Sequence, residues 1–408
     1  MTTRTLVAPE DIDRIDLADP STFVEHDLTE VWRHLRQHDP VHWQPESARG
    51  PGFWVVTKHA DFNAVCRDTT NFTSERGNVL DTLLQQADSA GGRMLVVTDG
   101  PRHVKLRKLL LKAFAPRALH VVTERLKAVT RRLVGEAVER GETDFAKEVA
   151  AHIPLATICD LLAVPEEDRM DILALTKQTI SSESADHTAM DGWMAKNQLL
   201  LYFADLARHR KDTPHADVVA MLAGGEIDGL PLSEDEIILN CYNLILGGDE
   251  TSRLSMIGAV EAFATHPGQW RALRDGEVTV RTAVEEVLRW TSPTQHFGRT
   301  ATHDTVVGGQ AVAAGEIVTV WSVSANRDES VFELPYTFDL ARSPNNHVAF
   351  GYGPHFCLGA YLARIEVTTL LETLRELVST VELRGPAERI YSTSLTGLSS
   401  LPVALVPT

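Results

Sequence analysis

The residues with the clearest chemical potential surround a single cysteine near the end of the chain. Segment 350–360 reads FGYGPHFCLGA and contains Cys357 together with Gly351, Gly353 and Gly359. Glycines let backbone amides approach a sulfur atom closely, and a helix predicted from residue 358 or 359 to residue 378 directs its positive end towards that sulfur. Both effects favour the thiolate, the form of cysteine that binds metal or attacks carbon. The segment therefore predicts a metal-binding or nucleophilic Cys357 rather than a small buried apolar residue.

A second candidate lies at the centre of a long predicted helix. Ser233 and Glu236 form a capping-box pattern at its start. The helical pattern then runs without proline to His266, which is roughly 33 residues or about 50 Å. Residues 247–252 read GGDETS in its middle, and each of the two glycines costs roughly 1 kcal/mol relative to alanine. This weakened centre predicts either close approach by a flat ligand or a local opening of the helix.

These segments resemble the cytochrome P450 family of haem-thiolate monooxygenases. The spacing of Phe350, Gly353, His355, Cys357 and Gly359 is similar to the cysteine loop of that family. The sequence EVLR at 286–289 resembles its E-x-x-R motif, and GGDETS resembles its oxygen-activation segment. The resemblance covers the chain from about residue 40 onwards. It implies a mainly α fold, with one large triangular helical domain over residues 1–408 and a small β-sheet region.

The resemblance also implies the central chemistry. Cys357 is the expected proximal ligand of the iron in haem b, where an axial thiolate favours O–O cleavage. Thr251 and Glu250 are the expected catalytic residues, because an alcohol and an acid on a water path can deliver the two protons that splitting dioxygen consumes. The alternatives are a Thr251 hydroxyl bonded to the carbonyl four residues earlier and a Glu250 on a solvated helix face.

Three further groups of residues follow from the resemblance. Glu286, Arg289 and Arg342 are expected to form a buried network that positions the cysteine loop. Besides the cysteine, the residues expected to bind the cofactor, several of them through its propionates, are His103, Arg107, Arg299, Phe350, His355 and Gly359. The expected substrate pocket consists of Leu244, Gly247, Gly248, Pro293, Thr294, Gln295, His296, Phe297, Leu395 and Thr396. Among these, Gln295, His296 and Thr396 are the predicted hydrogen-bond donors to substrate.

Composition excludes several other functions. The 408 residues contain 39 Lys and Arg against 56 Asp and Glu, a net charge of −17, which opposes binding to nucleic acid or anionic membranes. The four cysteines lie far apart, without the spacing of a zinc site or a disulfide framework. Neither a signal peptide nor a run of about 20 apolar residues occurs. We therefore expect a cytoplasmic protein without nucleic-acid or membrane partners.

Residues that favour β-strands occur in three regions of the chain. Strand-like runs cluster at about 40–57, 306–324 and 390–406, which predicts a small sheet region packed against a helical body.

Residues 101–120 carry six cations and no acidic residue. By resemblance this helix is where an acidic ferredoxin docks, so we expect a ferredoxin and its reductase as electron donors. The cations assigned to that redox-partner patch are Arg102, Lys105, Lys108 and Lys112.

The function expected from these features is insertion of one oxygen atom from dioxygen into a small organic substrate. Hydroxylation or epoxidation of a secondary-metabolite intermediate of polyketide, macrolide or peptide type, by a monomeric enzyme, is the leading prediction. One alternative is a family oxidase that forms a ring or couples aryl groups, and another is a haem-binding sensor or recruitment module without turnover. A peroxide-driven variant fits less well because Glu250 and Thr251 are both present. A Cys-dependent hydrolase would need a base that His355, two residues away in a loop, is poorly placed to provide.

Overall fold

Helices make up about 53% of the structure, a computed structural model that describes residues 4–85, 88–180, 189–211 and 217–408. The bounds of the helices follow in chain order. They are α1 Pro20–Glu25, α2 Thr29–His38, α3 His59–Arg67, α4 Leu80–Leu84, α5 Gly100–Leu110, α6 Pro116–Arg140, α7 Ile153–Leu161, α8 Arg169–Ile180, α9 Ala189–Lys211, α10 Val218–Ala223, α11 Glu234–Thr265, α12 Pro267–Arg274, α13 Val280–Thr291, α14 Ser322–Ala325 and α15 Ala360–Leu377. This content confirms the predicted mainly α class.

The long predicted helix is α11, which begins and ends where the sequence indicated. The Ser233 hydroxyl accepts a hydrogen bond from the Glu236 amide at 3.2 Å, and the Glu236 carboxylate accepts one from the Ser233 amide at 2.9 Å. These two bonds satisfy amides that the first helical turn leaves without partners. The helix runs for 32 residues to Thr265, and Pro267 follows its C-cap. Most of its surface is buried, since it packs against α7, α8, α9, α13 and α15.

The two adjacent glycines at the centre of α11 have different surroundings. A Cβ atom at Gly248 would lie 2.8 Å from the Ile158 side chain of α7, whereas a Cβ at Gly247 would meet open space. Gly248 therefore allows close helix packing, and Gly247 leaves open space beside the helix. The helix is continuous through both residues, so the predicted local opening is wrong. The predicted close approach by a flat ligand stays a prediction, and the close contact that the structure shows at Gly248 is with α7.

The strands form several small sheets, as the three strand-like regions predicted. Their bounds are β1 Thr5–Leu6, β2 His26–Asp27, β3 Val41–Gln44, β4 Phe53–Val56, β5 Phe72–Thr73, β6 Glu142–Asp144, β7 Glu226–Ile227, β8 Leu230–Pro231, β9 His296–Ala301, β10 Thr305–Val307, β11 Gln310–Val312, β12 Ile317–Trp321, β13 Val378–Leu383, β14 Glu388–Arg389, β15 Leu398–Ser400 and β16 Pro402–Pro407. The largest sheet has the order β3-β4-β12-β9-β5, and a second has the order β13-β16-β6. One boundary is wrong: the strand predicted to reach Ser324 ends at Trp321, and the chain turns into α14.

Register within the largest sheet determines which side chains can reach the interior. Strand β9 pairs antiparallel with β12, so that Arg299 lies opposite Val318 and Phe297 opposite Val320. Because side chains alternate between the two faces of a strand, Phe297 and Arg299 share one face and His296 and Gly298 the other. A Cβ at Gly298 would lie 2.1 Å from the Leu83 side chain, so the second face is closely covered by α4.

A hydrophobic cluster holds α6, α11, α13 and α15 together, with Val260, Val287 and Leu370 among its fully buried members. Residues of this kind pack at the density of organic crystals, so the start of α15 has little freedom to move relative to α11. Among the helices that the structure describes, none combines the length and the apolar character needed to cross a membrane.

Candidate active site

The cysteine loop and α11 face each other across an internal cavity. Cys357 lies at its wall with Phe350 and Gly359 nearby, and Thr251 lies on the α11 side. The Cys357 amide donates a hydrogen bond to the Phe350 carbonyl at 2.9 Å, which closes the loop just before α15 begins. The thiol is accessible from the cavity although protein surrounds it. The structure thus brings together the two segments that the sequence singled out.

Gly353 is required by the shape of this loop. Its φ angle is +73°, and an added Cβ would lie 2.5 Å from the backbone oxygen of Cys66 in α3. A side chain would therefore be strained by the left-handed conformation and would also collide with backbone that cannot rotate away.

We expect Gly353→Ala to lower the free energy of unfolding by about 2 to 4 kcal/mol, the sum of overpacking and left-handed strain. Gly309→Ala is the matched control, because Gly309 has φ +93° but open space around its Cβ position. The control should show only the strain, about 1 kcal/mol. Denaturant unfolding of both variants measures the difference, and equal losses in the two would contradict the collision with Cys66.

The electrostatics of Cys357 differ from the expectation. Burial raises the pKa of the thiol, while the Gly359 amide and the guanidinium groups of Arg107 and Arg364 act in the opposite direction. The stabilising contributions predicted from the glycines and from the helix start are present, but desolvation is larger. Burial therefore favours the neutral thiol when no cation binds the sulfur, and the thiolate of Cys357 at a metal-bound site stays a prediction.

Four basic residues converge on the wall of the cavity. His103 and Arg107, one turn apart on α5, line the cavity together with Arg299 of β9 and His355 of the loop. The rings of His103 and His355 lie 4.3 Å apart. Burial lowers the pKa of His103 to about 4 and also lowers the pKa of His355. The structure thus assembles all four predicted residues from three separate segments, with Arg107 and Arg299 as the cations and with burial favouring neutral rings at His103 and His355.

Asp99, which the sequence reasoning missed, organises this cluster. Its Oδ1 lies 2.8 Å from Nε2 of His355, and its Oδ2 accepts hydrogen bonds from the Thr73 hydroxyl and the Ser74 amide, each at 2.7 Å. Despite burial, the bond from His355 and those from Thr73 and Ser74 lower the pKa of the carboxyl. An acid directly before the glycine and proline that open α5 was the signal that could have identified it.

On α11 the two predicted catalytic residues have different environments. Thr251 lines the cavity, and its hydroxyl donates to the Gly247 carbonyl at 3.2 Å, so the carbonyl-bonded alternative coexists with an exposed position. Glu250 is not among the lining residues. It is 1% exposed, and its carboxylate accepts hydrogen bonds from Nε of Arg253 at 2.8 Å and from Nη2. The alternative of a solvated Glu250 is wrong, and its carboxylate is bound to Arg253 rather than directed at the cavity.

The ten residues predicted for the substrate pocket divide between the cavity wall and the surrounding fold. Six of the ten residues line the cavity, namely Leu244, Gly247, Gly248, Pro293, Thr294 and Phe297. Gln295, His296, Leu395 and Thr396 do not. Gln295 donates its amide to three backbone carbonyls of segment 392–395, and His296, on the other face of β9, accepts a hydrogen bond from the Leu80 amide at 3.0 Å.

Leu395 and Thr396, which also lie outside the cavity wall, make contacts within the fold. Leu395 packs in the main hydrophobic cluster, and the Thr396 amide donates to the Pro293 carbonyl at 2.8 Å. The three predicted donors to substrate, Gln295, His296 and Thr396, are therefore corrected to structural residues.

The predicted buried network forms as a compact ionic cluster. Arg289 donates to both carboxylate oxygens of Glu286 at 2.8 Å, and Nε of Arg342 donates to the same carboxylate at 3.1 Å. The Asp339 amide and the Asn345 side chain add two more bonds to Glu286. Both carboxylate oxygens of Glu286 accept at least two hydrogen bonds, which compensates the burial of the charge.

Glu285, next to Glu286, makes the direct connection to the cysteine loop. It accepts hydrogen bonds from Nε and Nη2 of Arg364 on α15 at 2.7 and 2.9 Å and lies 3.0 Å from Nε2 of His347. The Arg364 guanidinium stacks over the Phe350 ring at 4.6 Å. Sequence reasoning missed this acid, although two adjacent glutamates on a largely buried helix indicated a second ion pair.

Comparison with known proteins identifies the family. A family model for cytochrome P450 matches residues 277–377. Cytochrome P450 NovI of Streptomyces niveus is 47% identical over 99% of this chain and 100% of that protein. The chain belongs to the cytochrome P450 family. Linalool 8-monooxygenase of Pseudomonas putida is 31% identical over 97% of this chain and 100% of its own. The crystal structure of P450 OxyD, involved in the biosynthesis of vancomycin-type antibiotics, matches with TM-score 0.89 at 36% identity, covering 97% of this chain and 100% of that one.

As a P450 monooxygenase, this protein uses a haem-thiolate iron cofactor, and the cavity fits that group. Nε2 of His103 is buried and has no hydrogen-bond partner among the described residues. An orphaned ring nitrogen beside Arg107 and Arg299 is suited to an acidic group of the cofactor. Gly359 leaves its Cβ position 4.0 Å from the Cys357 sulfur, so no side chain crowds the sulfur there.

The basic patch on α5 of this P450 is smaller than the sequence indicated. Arg102 pairs with Glu236 of α11, and Nζ of Lys105 lies 2.7 Å from Asp228. Lys108 and Lys112 are exposed and have no ion pair within the part of the chain that the structure describes. Two of the four predicted cations are therefore neutralised by distant acids, and two retain an uncompensated charge.

Proposed function

We propose that this P450 inserts one oxygen atom from dioxygen into a small secondary-metabolite intermediate, by hydroxylation or epoxidation. The observation that carries the proposal is the Cys357 thiol, which faces a cavity opposite Thr251 and beside a cluster of cations. Similarity to NovI and to OxyD, a P450 of antibiotic biosynthesis, supports the substrate class. A structure of PksS, from bacillaene polyketide synthase, is 27% identical with TM-score 0.85.

In this proposal Cys357 holds the iron of haem b, and His103, Arg107, Arg299 and His355 bind its two propionates. Haem held at this sulfur would supply the activation of dioxygen. The protein positions the substrate and keeps water out of the cavity. Apolar groups such as Leu244 and Phe297 exclude water from the reacting carbon, and Oγ1 of Thr251 offers a hydrogen-bond acceptor at the cavity while its proton bonds to the Gly247 carbonyl.

The test is oxygen incorporation. The holoenzyme is screened with a library of polyketides, macrolides and peptides for the low-to-high-spin absorbance shift. The tightest ligand is then turned over with a surrogate ferredoxin, its reductase, NADPH and isotopically labelled dioxygen. One labelled oxygen atom per product molecule is expected. A product with no added oxygen would assign the oxidase alternative, and absence of NADPH consumption with every ligand would assign the sensor alternative.

We also propose that a ferredoxin docks at Lys108 and Lys112, and this predicts a kinetic effect. Charge reversal to Lys108→Glu and Lys112→Glu should lower the rate of reduction by an acidic ferredoxin by about tenfold at low salt, since complementary charge mainly raises the association rate. The deficit should shrink as ionic strength rises. Lys127→Glu on α6 is the control, because Lys127 is exposed and already paired with Glu124. An unchanged rate and salt dependence in the double variant would rule out this docking site.

A further inference from the structure

Two carboxamide side chains in the cavity wall have no partner. Asn78 lies between β5 and α4, and Asn243 lies on α11. Both are partly buried, and neither side chain forms a hydrogen bond with a residue that the structure describes. By contrast, the hydroxyls of Thr251 and Ser255 in the same wall bond to backbone carbonyls. A polar side chain that faces a cavity with its hydrogen bonds unmade is suited to orient a ligand.

The backbone of each asparagine is fixed, although the two side chains lack partners. Asn243 belongs to the continuous helix α11. The Asn78 carbonyl accepts a hydrogen bond from the Gly298 amide of β9 at 2.8 Å. Because rigid elements carry both carboxamides, little order has to be created when a ligand binds, and the two groups can select a ligand by its shape and polarity.

The face of α11 between Asn243 and Thr251 determines how long this ligand can be. Residues 243, 247 and 251 are spaced by four and lie on one face of the helix. The interval from Asn243 to Thr251 spans about 12 Å at 1.5 Å per residue. Gly247, halfway along, has open space at its Cβ position. A ligand can therefore extend along this face, with a polar group at Asn243 and the reacting carbon near Thr251.

The ionisable groups of the wall favour an uncharged ligand. Among the residues that the structure describes, the carboxyl, ammonium and guanidinium groups lining the cavity are those of Arg107, Arg299 and Glu366. The two arginines belong to the cluster assigned to the cofactor. Burial raises the pKa of Glu366 to about 8, so this acid is neutral at pH 7. A charged ligand group at Asn78 or Asn243 would lose its water without gaining a counter-charge, which is far less favourable than burying a neutral amide.

We propose that Asn78 and Asn243 select the substrate of this enzyme, and that this substrate is an uncharged molecule with an amide group remote from the carbon that is oxidised. A carboxamide contains both a donor and an acceptor, and an amide of the ligand matches the two together. This inference rests on the proposed monooxygenase function and narrows its substrate class to the peptide type. It also supplies polar contacts to substrate, which the residues corrected to structural roles do not make.

The first measurement is calorimetric titration of the holoenzyme with three peptides on one scaffold. The peptide N-acetyl-leucyl-leucinamide is uncharged, N-acetyl-leucyl-leucine carries a carboxylate, and leucyl-leucinamide carries an ammonium group. An extended dipeptide with both end groups spans about 10 Å, which fits the α11 face. The uncharged peptide should bind at least about tenfold more tightly than either charged peptide. Equal affinities for the three, or no binding of the uncharged peptide, would overturn the proposal.

The second measurement changes one group of the ligand and one residue of the protein. The compound N-acetyl-leucine isopentylamide lacks only the terminal carboxamide of the uncharged dipeptide. Loss of this group should weaken binding to the unmodified holoenzyme about tenfold, and the difference should disappear in Asn78→Leu or in Asn243→Leu, whichever removes its partner. Asn346→Leu is the matched control, because Asn346 is exposed and lies outside the cavity wall, and it should keep the full difference. A difference that persists in both cavity variants would contradict the assigned contacts.

The carbon monoxide spectrum separates loss of the contact from loss of the fold. Both cavity variants should keep the red-shifted band of the reduced protein, so weaker binding with the band present reports the missing carboxamide. Absence of this band in the unmodified holoenzyme would overturn the proposed function. The calorimetric preference for the uncharged peptide is measured without turnover, and its failure would overturn this inference alone.

Discussion

Glu286→Gln is expected to lower the free energy of unfolding by about 3 to 5 kcal/mol, because it leaves the guanidinium groups of Arg289 and Arg342 buried without their shared anion. Arg289 is fully buried and Arg342 is 9% exposed, so solvent cannot replace the lost carboxylate. The neutral amide keeps the shape of the side chain, which confines the effect to charge. Denaturant unfolding of the holoenzyme measures the loss.

Glu124→Gln is the matched control for this effect. Glu124 and Lys127 form an i, i+3 ion pair like Glu286 and Arg289, with side chains 59% and 55% exposed. Surface pairs of this kind contribute little to stability, so no measurable change is expected. A loss of stability in Glu286→Gln as small as that of the control would contradict the central role of the buried cluster.

Cys357→Ser is expected to abolish the red-shifted carbon monoxide band and all oxygen insertion. A serine hydroxyl does not replace the thiolate as an electron donor to iron, so the spectral signature and the reactivity should disappear together. Absorbance of the reduced protein under carbon monoxide measures the first, and labelled-dioxygen turnover measures the second.

Cys66→Ser provides the comparison within the same cavity. Cys66 also lines the cavity but is buried in α3, where desolvation raises the pKa of its thiol. This variant should retain the red-shifted band and its turnover. Retention of the band in Cys357→Ser, or its loss in Cys66→Ser alone, would require a different iron ligand.

The features that could be predicted from sequence are local. The limits of α11 follow from a capping box at one end and proline at the other, and both signals lie within a few residues of the helix ends they mark. The Glu286–Arg289 pair follows from i, i+3 spacing on a helix. The shape of the cysteine loop depends on glycines at fixed positions relative to Cys357. The sequence pattern was therefore enough to predict the loop.

The features that could not be predicted involve partners distant in the chain. Lys105 is neutralised by Asp228, which lies 123 residues further on. Asp99 reaches His355 across 256 residues. Spacing along one helix carries no information about such pairs, because they depend on which elements the tertiary fold brings together.

A third class of error concerns the direction in which a side chain points from its strand or helix. His296 and Phe297 are adjacent, and both were assigned to the pocket, yet only Phe297 lines it. Assigning alternate residues of β9 to opposite faces would have separated them. Glu250 and Thr251 on α11 differ in the same way, since neighbouring residues of a helix point about 100° apart.

Strand β9 also determines how this enzyme can acquire new specificity. Phe297 and Arg299 line the cavity, whereas His296 accepts a hydrogen bond from the Leu80 amide and Gly298 leaves no room for a side chain beside Leu83. Variation at Phe297 can therefore reshape the chamber without disturbing strand pairing. Variation at either even position disrupts the contact with α4 before it reaches any substrate, so evolution and engineering along this strand are confined to every second residue.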